Sequence, residues 1–565
     1  FGIDETGHLG FIVADGKEFD AVLSEIPLQR HIWYFIGASY DASTGRATLH
    51  QVGVVNRYNS LWGKVTPMDY DSHVSETLRF KPKHAPDISF LVGGTWDFHV
   101  NRGKFVNELY SGKVDRPGIV SRVLSREEFD HICSGGKPPE NDILAYWDTS
   151  AGYTDTGIGD SVTDTGPYGL HAIGINKPVR AQTGWNWNGR NDCFRLAPEE
   201  YGGIEFHDDA IIDCGWDVTH RLTIPENLKS GVYAIRLRAG DATGLGEEYL
   251  VFFVRATTPR APIALLIPTA SYLAYANDHL TFDAQMAQPI VGQTPIVSDI
   301  DIEVYQSPEF GLSTYDHHQD GAGVCYSSYR RPIVSLQPKY RNPMNGVTWQ
   351  FPADLSIVAW LEHCNYDYEV LTDEDLHTEG VDAISPYKCV ITGTHPEYYS
   401  ETMLDATEDF VVGGGRLIYM GGNGYYWNVD FCKDEPWCME VRKLDSGMRA
   451  WNAKPGEHYM QTTGQKGGLW KNLGRPPQKA LGVGFISQGF ESCRPFRRMP
   501  DSWHRTVSWI TDGIEGEIIG DFGLAHGAAG GIEMDRYDLE KGTPPHARID
   551  ASSGGHTDNY MLVCE

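Results

Sequence analysis

The residues best suited to chemistry are His395 and Glu397, which are separated only by Pro396. Pro396 favours an extended backbone at His395, so the two side chains are expected to point the same way. An imidazole beside a carboxylate suits a metal ligand with an acid–base neighbour. The same pair also suits an ordinary solvated polar loop. These residues alone leave both interpretations open.

The pair lies in a predicted loop between a strand and a helix. Residues 387–392 are β-prone and end at Gly393, whereas Ser400 is a suitable N-cap for a helix over 400–412. Open α/β sheets bind their ligands in the crevice at the carboxyl ends of the strands. We therefore expect residues 394–400 to lie at such a crevice.

Three further loops of the second half of the chain carry polar or phenolic side chains. They are residues 269–277, 313–320 and 421–427. If the sheet is parallel, the loops that follow its strands converge near His395 and Glu397. Two phenol-bearing loops and one carboxylate indicate a hard, highly charged cation rather than zinc. We expect His317 and His318, which diverge on an extended chain, to be ordinary loop histidines.

No covalent nucleophile is apparent in these loops. The order of elements resembles the class I glutamine-amidotransferase fold, in which a nucleophilic cysteine sits at a glycine-flanked turn. Here Asn423 occupies the glycine-flanked position, and the chain has no G-x-S-x-G elbow. A hydrolase built on this chain would therefore need a metal-bound water.

The pattern of elements divides the chain into two parts. Residues 1–259 are predicted to be a β-rich, lectin-like region similar to the concanavalin and laminin-G jelly-roll β-sandwich, with a hairpin over 31–53. Its other predicted strands are 88–92, 169–173, 203–207, 221–224, 232–237 and 249–254. Residues 260–565 alternate strand and helix, which predicts an amidotransferase-like α/β domain with a parallel sheet. Its predicted strands are 263–267, 366–371, 387–392 and 416–420, and its helices 352–364 and 400–412.

Composition excludes several classes of function. The 565 residues carry 47 Lys and Arg against 76 Asp and Glu, and the net charge of −29 argues against nucleic-acid and anionic-membrane partners. No apolar run reaches the roughly 20 residues of a membrane helix. The ten cysteines lack a CxxC clip, which favours free thiols and a cytoplasmic protein, although Cys432 and Cys438 could pair. The chain opens on Phe1, which suggests a processed or trimmed start.

Five longer runs of residues carry a family resemblance. They are Pro268-Thr-Ala-Ser-Tyr-Leu-Ala-Tyr-Ala-Asn277, Thr314-Tyr-Asp-His-His318, His395-Pro-Glu-Tyr-Tyr399, Gly421-Gly-Asn-Gly-Tyr-Tyr-Trp427 and Gly530-Gly-Ile-Glu-Met-Asp535. Together they resemble the large, catalytic subunits of the N,N-dimethylformamidase family. The resemblance implies a mononuclear ferric ion, Fe(III), held by Tyr275, Tyr315 and Glu397. It also implies catalytic roles for Glu533, His395, Asn423 and Lys443.

Charge balance agrees with the implied ligands, because two phenolates and one carboxylate cancel the +3 charge of Fe(III). A tyrosine with a pKa near ~10 ionises there only because the metal stabilises the phenolate. Other interpretations of single residues stay open. Tyr275 suits core packing, Tyr315 a loop aromatic, Lys443 a solvated surface lysine and Glu533 a surface carboxylate.

The implied function is an iron-dependent amidohydrolase. It would hydrolyse N,N-dimethylformamide and related small N-substituted formamides to formate and an amine such as dimethylamine. The resemblance further implies a hetero-oligomer with a small partner subunit, and sequence ahead of Phe1. Two alternatives from other classes are a carbohydrate-binding protein whose lectin-like half is the functional part, and a catalytically inactive amidotransferase-like scaffold.

Overall fold

A computed structural model describes most of the chain. The described residues are 1–14, 17–54, 70–82, 88–97, 105–154, 156–241, 244–283, 294–444, 451–489, 492–523, 526–553 and 560–563. Contacts between Cα atoms divide the chain into two compact units. Unit 1 comprises residues 1–208 together with 454–465, and unit 2 comprises 209–453 together with 466–565. The predicted boundary between residues 259 and 260 therefore falls within unit 2.

Unit 1 is built of short antiparallel strands. The predicted hairpin is present as Tyr34–Asp41 paired with Arg46–Gly53. The sheets of the described residues, each in spatial order, are Gly2–Ile3, Leu9–Ala14 and Phe19–Leu23; Tyr34–Asp41, Arg46–Gly53 and Ser72–Thr77; Thr95–Asp97 and Phe105–Asn107; Gly118–Val120, Ile143–Asp148, Ser161–Asp164 and Ala172–Ile173; and Val179–Gln182, Gly203–Phe206 and Gly112–Val114. Among the described residues of this unit, the α-helix is Arg126–Cys133. Assignment to the jelly-roll class stays a prediction.

Two of the predicted strands are wrong. Residues 88–92 and 221–224 are described, and they form no strand. Phe90 is 62% exposed, although its ring stacks on Trp147 at 5.4 Å, and Leu222 is 51% exposed. Neither run has a pairing strand among the described residues. The predicted strand 169–173 is shortened to Ala172–Ile173. High β-propensity gives no strand where no partner completes the ladder.

Residues 454–465 complete unit 1 from a distant part of the chain. Glu457 accepts hydrogen bonds from the backbone N and the Oγ1 of Thr183, at 3.1 and 2.6 Å, and pairs with Lys113. The Oε1 of Gln461 accepts a hydrogen bond from the backbone N of Arg180 at 2.9 Å. This segment therefore satisfies buried polar groups of strands that precede it by more than 200 residues.

Unit 2 contains the predicted parallel sheet. Its four strands, in spatial order, are Tyr368–Thr372, Ile263–Ile267, Cys389–Thr392 and Arg416–Ile418. Ala264 and Leu266 point into one hydrophobic core, while Leu265 and Ile267 point into another. Both faces are thus covered, as the continuous apolar strands predict. Assignment to the glutamine-amidotransferase class stays a prediction.

The helices of unit 2 agree with the predicted alternation. The helix predicted at 352–364 is Phe351–His363, and the helix predicted at 400–412 is Glu401–Val412. Ser400 caps the latter, because its hydroxyl accepts a hydrogen bond from the backbone N of Met403 at 3.3 Å. The other α-helices in the described part of this unit are Thr269–Ala274, Leu280–Asp283, Asp299–Gln306, Asp373–Glu379, Val381–Ile384 and Gln478–Leu481.

Further strands of unit 2 lie outside the parallel sheet. They are the hairpin Gly231–Asp241 and Gly244–Val254; the sheet Tyr326–Ser328, Glu435–Val441, Trp427–Cys432 and Tyr398–Tyr399; the pair Gly484–Gln488 and Glu533–Arg536; and the sheet Ile518–Ile519, Phe496–Arg498, Arg548–Ser552 and Tyr560–Val563. Cys432 and Cys438 are free thiols, as are the other cysteines at described positions. Each helix in the described residues is too short or too polar to span a membrane.

Candidate metal centre

The loops at the carboxyl ends of three parallel strands meet at one place. Tyr275 follows the helix Thr269–Ala274, which begins two residues after the strand Ile263–Ile267. His395 and Glu397 follow the strand Cys389–Thr392, and Asn423 follows Arg416–Ile418. This convergence is the arrangement expected of an open parallel sheet. The structure thus brings these loops together, and a ligand-binding crevice at this place stays a prediction.

Three oxygen-bearing side chains form the centre of the site. Tyr275 Oη lies 2.5 Å from Tyr315 Oη and 2.7 Å from Glu397 Oε2, and Tyr315 Oη lies 3.4 Å from Glu397 Oε1. All three residues are buried. The loop of Tyr315 is tied to the helix before Tyr275, because Thr314 donates two hydrogen bonds of 3.0 Å to the carbonyl of Ala274.

Burial makes ionisation of these three groups unfavourable without a cation. Burial, and then the charge of Glu397, raises the pKa of both Tyr275 and Tyr315 well above the usual value for tyrosine. Burial also raises the pKa of Glu397, although His395 opposes this effect. Three buried acidic groups in contact therefore need a positive charge if they are to ionise together.

The donor set fits a hard trivalent cation. Carboxylate and phenolate oxygens are hard ligands, and the charges of one carboxylate and two phenolates total −3. Among the described residues, no cluster of three or more His, Cys, Asp or Glu side chains suits a metal ion. Tyr275, Tyr315 and Glu397 form a different kind of donor set, because two of its three donors are phenols.

His395 and Glu533 form an ion pair beside these oxygens. His395 Nε2 lies 2.8 Å from Glu533 Oε2 and 3.6 Å from Glu397 Oε2. The imidazolium and the carboxylate make this contact an ion pair. Burial alone lowers the pKa of His395, but the charges of Glu533 and Glu397 raise it to about 9. His395 and Glu397 do point the same way, as Pro396 predicts.

Asn423 supports the carboxylate of Glu397. Its Nδ2 donates a hydrogen bond of 2.9 Å to Glu397 Oε1, while its buried Oδ1 has no partner among the described residues. The residue has a φ of 55° and its backbone N donates to Asp535 Oδ1 at 3.0 Å. A Cβ on Gly422 would lie 3.0 Å from the Cβ of Glu533, so this loop approaches the strand of Glu533 closely because it has glycine there.

Lys443 is fully buried, so the surface interpretation of this residue is wrong. Its Nζ lies 3.0 Å from Tyr398 Oη and 3.2 Å from the centroid of the Tyr315 ring. Tyr398 in turn donates a hydrogen bond of 2.8 Å to Tyr315 Oη. Burial lowers the pKa of Lys443 to about 7, although Glu397 opposes this effect.

The structure thus brings all seven predicted site residues together. His317 and His318 lie outside this site. His317 is exposed, whereas His318 is buried with its Nδ1 2.6 Å from Asp209 Oδ1. Sequence reasoning gave no role to Tyr398, Asp535 or Gln350. Tyr398 and Asp535 lie within runs that carry the family resemblance, but Gln350 stands outside every such run and carried no signal.

Comparisons with known proteins come from a family model and from curated relatives. The family model described as "N,N-dimethylformamidase beta subunit-like, C-terminal" matches residues 179–563. The N,N-dimethylformamidase beta subunit of Paracoccus aminophilus is 41% identical over 568 residues, which cover 99% of this chain and 73% of that protein. The N,N-dimethylformamidase beta subunit of an Alcaligenes species is 41% identical over 566 residues, with the same two coverages.

Proposed function

Because the chain belongs to the N,N-dimethylformamidase beta-subunit family, we propose that it is an amide hydrolase of small N-substituted formamides. The products are formate and an amine, which is dimethylamine when N,N-dimethylformamide is the substrate. The observation that carries the proposal is the meeting of the oxygens of Tyr275, Tyr315 and Glu397 within 2.5 to 3.4 Å, beside the His395–Glu533 pair.

We further propose that Tyr275, Tyr315 and Glu397 hold one ferric ion. Bound there, the ion supplies a Lewis acid for the substrate carbonyl and lowers the pKa of a water molecule. With that charge beside them, the two phenols and the carboxyl would be deprotonated, because the cation would offset the cost of burying three negative charges. Asn423 fixes Glu397 through its Nδ2 and leaves its Oδ1 free to orient a water.

Proton transfer falls to Glu533 and His395. Hydrolysis forms a bond from the water oxygen to the formyl carbon and breaks the bond from that carbon to nitrogen. A dialkylamide anion is too basic to leave, so the nitrogen must be protonated as the C–N bond breaks. Glu533 accepts a proton from the attacking water and returns it to the nitrogen, with His395 Nε2 at 2.8 Å holding the carboxylate in place.

Lys443, in its protonated form, places a positive charge beside Tyr398 and the Tyr315 ring. Its Nζ contacts Tyr398 Oη, which donates to Tyr315 Oη. This arrangement stabilises negative charge on the Tyr315 oxygen, since both contacts place positive potential beside it.

Both relatives are named as subunits, and we propose that this chain likewise forms a hetero-oligomer with a small partner subunit. We also retain the proposal of a cytoplasmic location. Size-exclusion chromatography of the chain expressed with and without candidate partners tests the first of these, and a single-component active enzyme would contradict it.

Metal analysis and the visible spectrum test the proposed site. Tyrosinate–Fe(III) charge transfer absorbs visible light, so the protein should be coloured and contain about one iron per chain. Tyr275→Phe, Tyr315→Phe and Glu397→Ala should each lower the iron content and abolish turnover. Tyr399→Phe is a matched control, because it also removes a buried phenol hydroxyl. The ring of Tyr399 packs against Tyr425 at 4.0 Å and its phenol is not a proposed ligand.

The alternatives give different results in the same experiment. A glycan-binding protein and an inactive scaffold both predict a colourless protein without turnover. Full iron and full activity in all three ligand variants would show that the ligand assignment is wrong.

A further inference from the structure

Gln350 has an unusual backbone conformation at a buried position. Its φ is 53° and its ψ is −128°, immediately before the helix Phe351–His363. Glycine adopts this region readily, whereas a side chain makes it costly by roughly 1–3 kcal/mol. Gln350 stands at the N-cap of the helix but makes no side-chain cap there. Neither helix capping nor ordinary turn geometry therefore explains a glutamine at this position.

The side chain of Gln350 instead contacts His395. Its Nε2 lies 2.8 Å from His395 Nδ1, while its buried Oε1 has no partner among the described residues. The neighbouring ring of Trp349 meets the His395 ring edge-on at 5.6 Å. Together, these two residues contact the imidazole at Nδ1 and pack against its ring. With the ring held in this way, Nε2 lies 2.8 Å from Glu533 Oε2.

We propose that Gln350 is a positioning residue that fixes the orientation of the His395 imidazole toward Glu533. The costly backbone conformation is retained because it directs the amide at Nδ1. An amide offers both a donor and an acceptor. Nε2 donates to an Nδ1 without hydrogen, whereas the amide turned over accepts through Oε1 from the Nδ1–H of the imidazolium that pairs with Glu533. The inference rests on the proposed function only in that His395 and Glu533 act together in proton transfer.

A pair of variants separates the amide from the backbone. Gln350→Gly and Gln350→Ala both remove the amide, but only glycine relieves the positive φ. We expect the Gly variant to have the higher unfolding temperature of the two. We expect kcat to fall about equally in both, by roughly 10- to 100-fold, because small misplacements of catalytic groups have effects of that size. KM should change by less than about twofold, and iron content should match that of the parent.

Gln350→Met adds a variant that retains the length of the side chain without its hydrogen bonds. Its kcat should fall as far as that of Gln350→Ala. A Gly variant with the parent's kcat would overturn the proposal, since the role of Gln350 would then lie in the backbone alone. Loss of iron in all three variants would also overturn it, because Gln350 would then support the metal site instead.

A crystal structure of Gln350→Gly gives a readout that does not require turnover. The imidazole of His395 should be rotated or disordered, with its Nε2 no longer 2.8 Å from Glu533. An unmoved ring would overturn the proposal whether or not the parent hydrolyses formamides. Absence of iron and turnover in the parent would instead contradict the proposed function and leave the ring orientation as the deciding observation.

Discussion

Glu533→Gln separates proton transfer from metal binding. Glu533 Oε2 lies 2.8 Å from His395 Nε2, and glutamine has the same length and keeps a carbonyl oxygen that can accept from that nitrogen. Glutamine therefore still fills the place beside His395, but the charge of the ion pair and the ability to accept and return a proton are lost. Iron should stay bound, because the close contacts among the three proposed ligands do not involve Glu533.

The expected loss of rate follows from the role of positioned proton transfer. Such transfer typically contributes about 10²- to 10⁴-fold, and each factor of ten corresponds to about 1.4 kcal/mol in the barrier. The variant should therefore have a barrier roughly 3–5 kcal/mol higher than the parent. The change should appear in kcat rather than in KM, since the proton moves only as the bonds to carbon form and break.

The assay measures formate release, iron content and the visible band for the same preparations. Glu517→Gln is the matched control, because it removes a carboxylate whose side chain is 71% exposed and should leave all three values unchanged. Iron loss in Glu533→Gln would make Glu533 a ligand. Activity within a few-fold of the parent would refute its role in proton transfer.

Three further predictions concern buried charges. Lys443→Met should lower turnover with iron retained. It should also move the charge-transfer band to longer wavelength, because a phenolate without the nearby cation is more electron-rich. An unchanged spectrum would contradict the contact of Lys443 with the Tyr315 ring. Arg180→Met should lower the free energy of unfolding, measured by chemical denaturation, by roughly 3 kcal/mol. The guanidinium of Arg180 is buried and donates to four backbone carbonyls, which would lose this donor. Burial raises the pKa of Asp430 to about 7, so its protonated form stabilises the fold at low pH and this contribution is lost as pH rises through 7. Asp430→Asn should therefore lose less stability than the parent between pH 5 and pH 8, and equal losses in the two proteins would refute that origin.

Much of unit 2 could be predicted from the sequence because its elements carry strong local patterns. The strand Ile263–Ile267 is observed with its predicted bounds, and the helix Glu401–Val412 begins next to its predicted cap. Parallel strands that are covered on both faces are continuous apolar runs, which are easily recognised. In unit 1, by contrast, residues 88–92 show that a β-prone run needs a partner strand, and no local pattern supplies that information.

Sequence reasoning could predict only those parts of the site that lie on loops after parallel strands. His395, Glu397, Tyr275 and Asn423 lie after such strands, so topology alone brings them together. Lys443 reaches the site from an antiparallel sheet, and Glu533 from a strand that begins 90 residues further along the chain. Their positions depend on tertiary packing, and the family resemblance was the only signal for them.

The position of segment 454–465 in the chain affects when unit 1 can finish folding during synthesis. During synthesis, residues 1–208 leave the ribosome about 250 residues before Glu457 and Gln461 do. Until then, Thr183, Lys113 and the backbone N of Arg180 lack the partners that they have in the finished protein. Unit 1 therefore reaches its final hydrogen bonding only after most of unit 2 has been translated. A fragment that ends at residue 208 is expected to be less stable than the same fragment supplied with a peptide of residues 454–465.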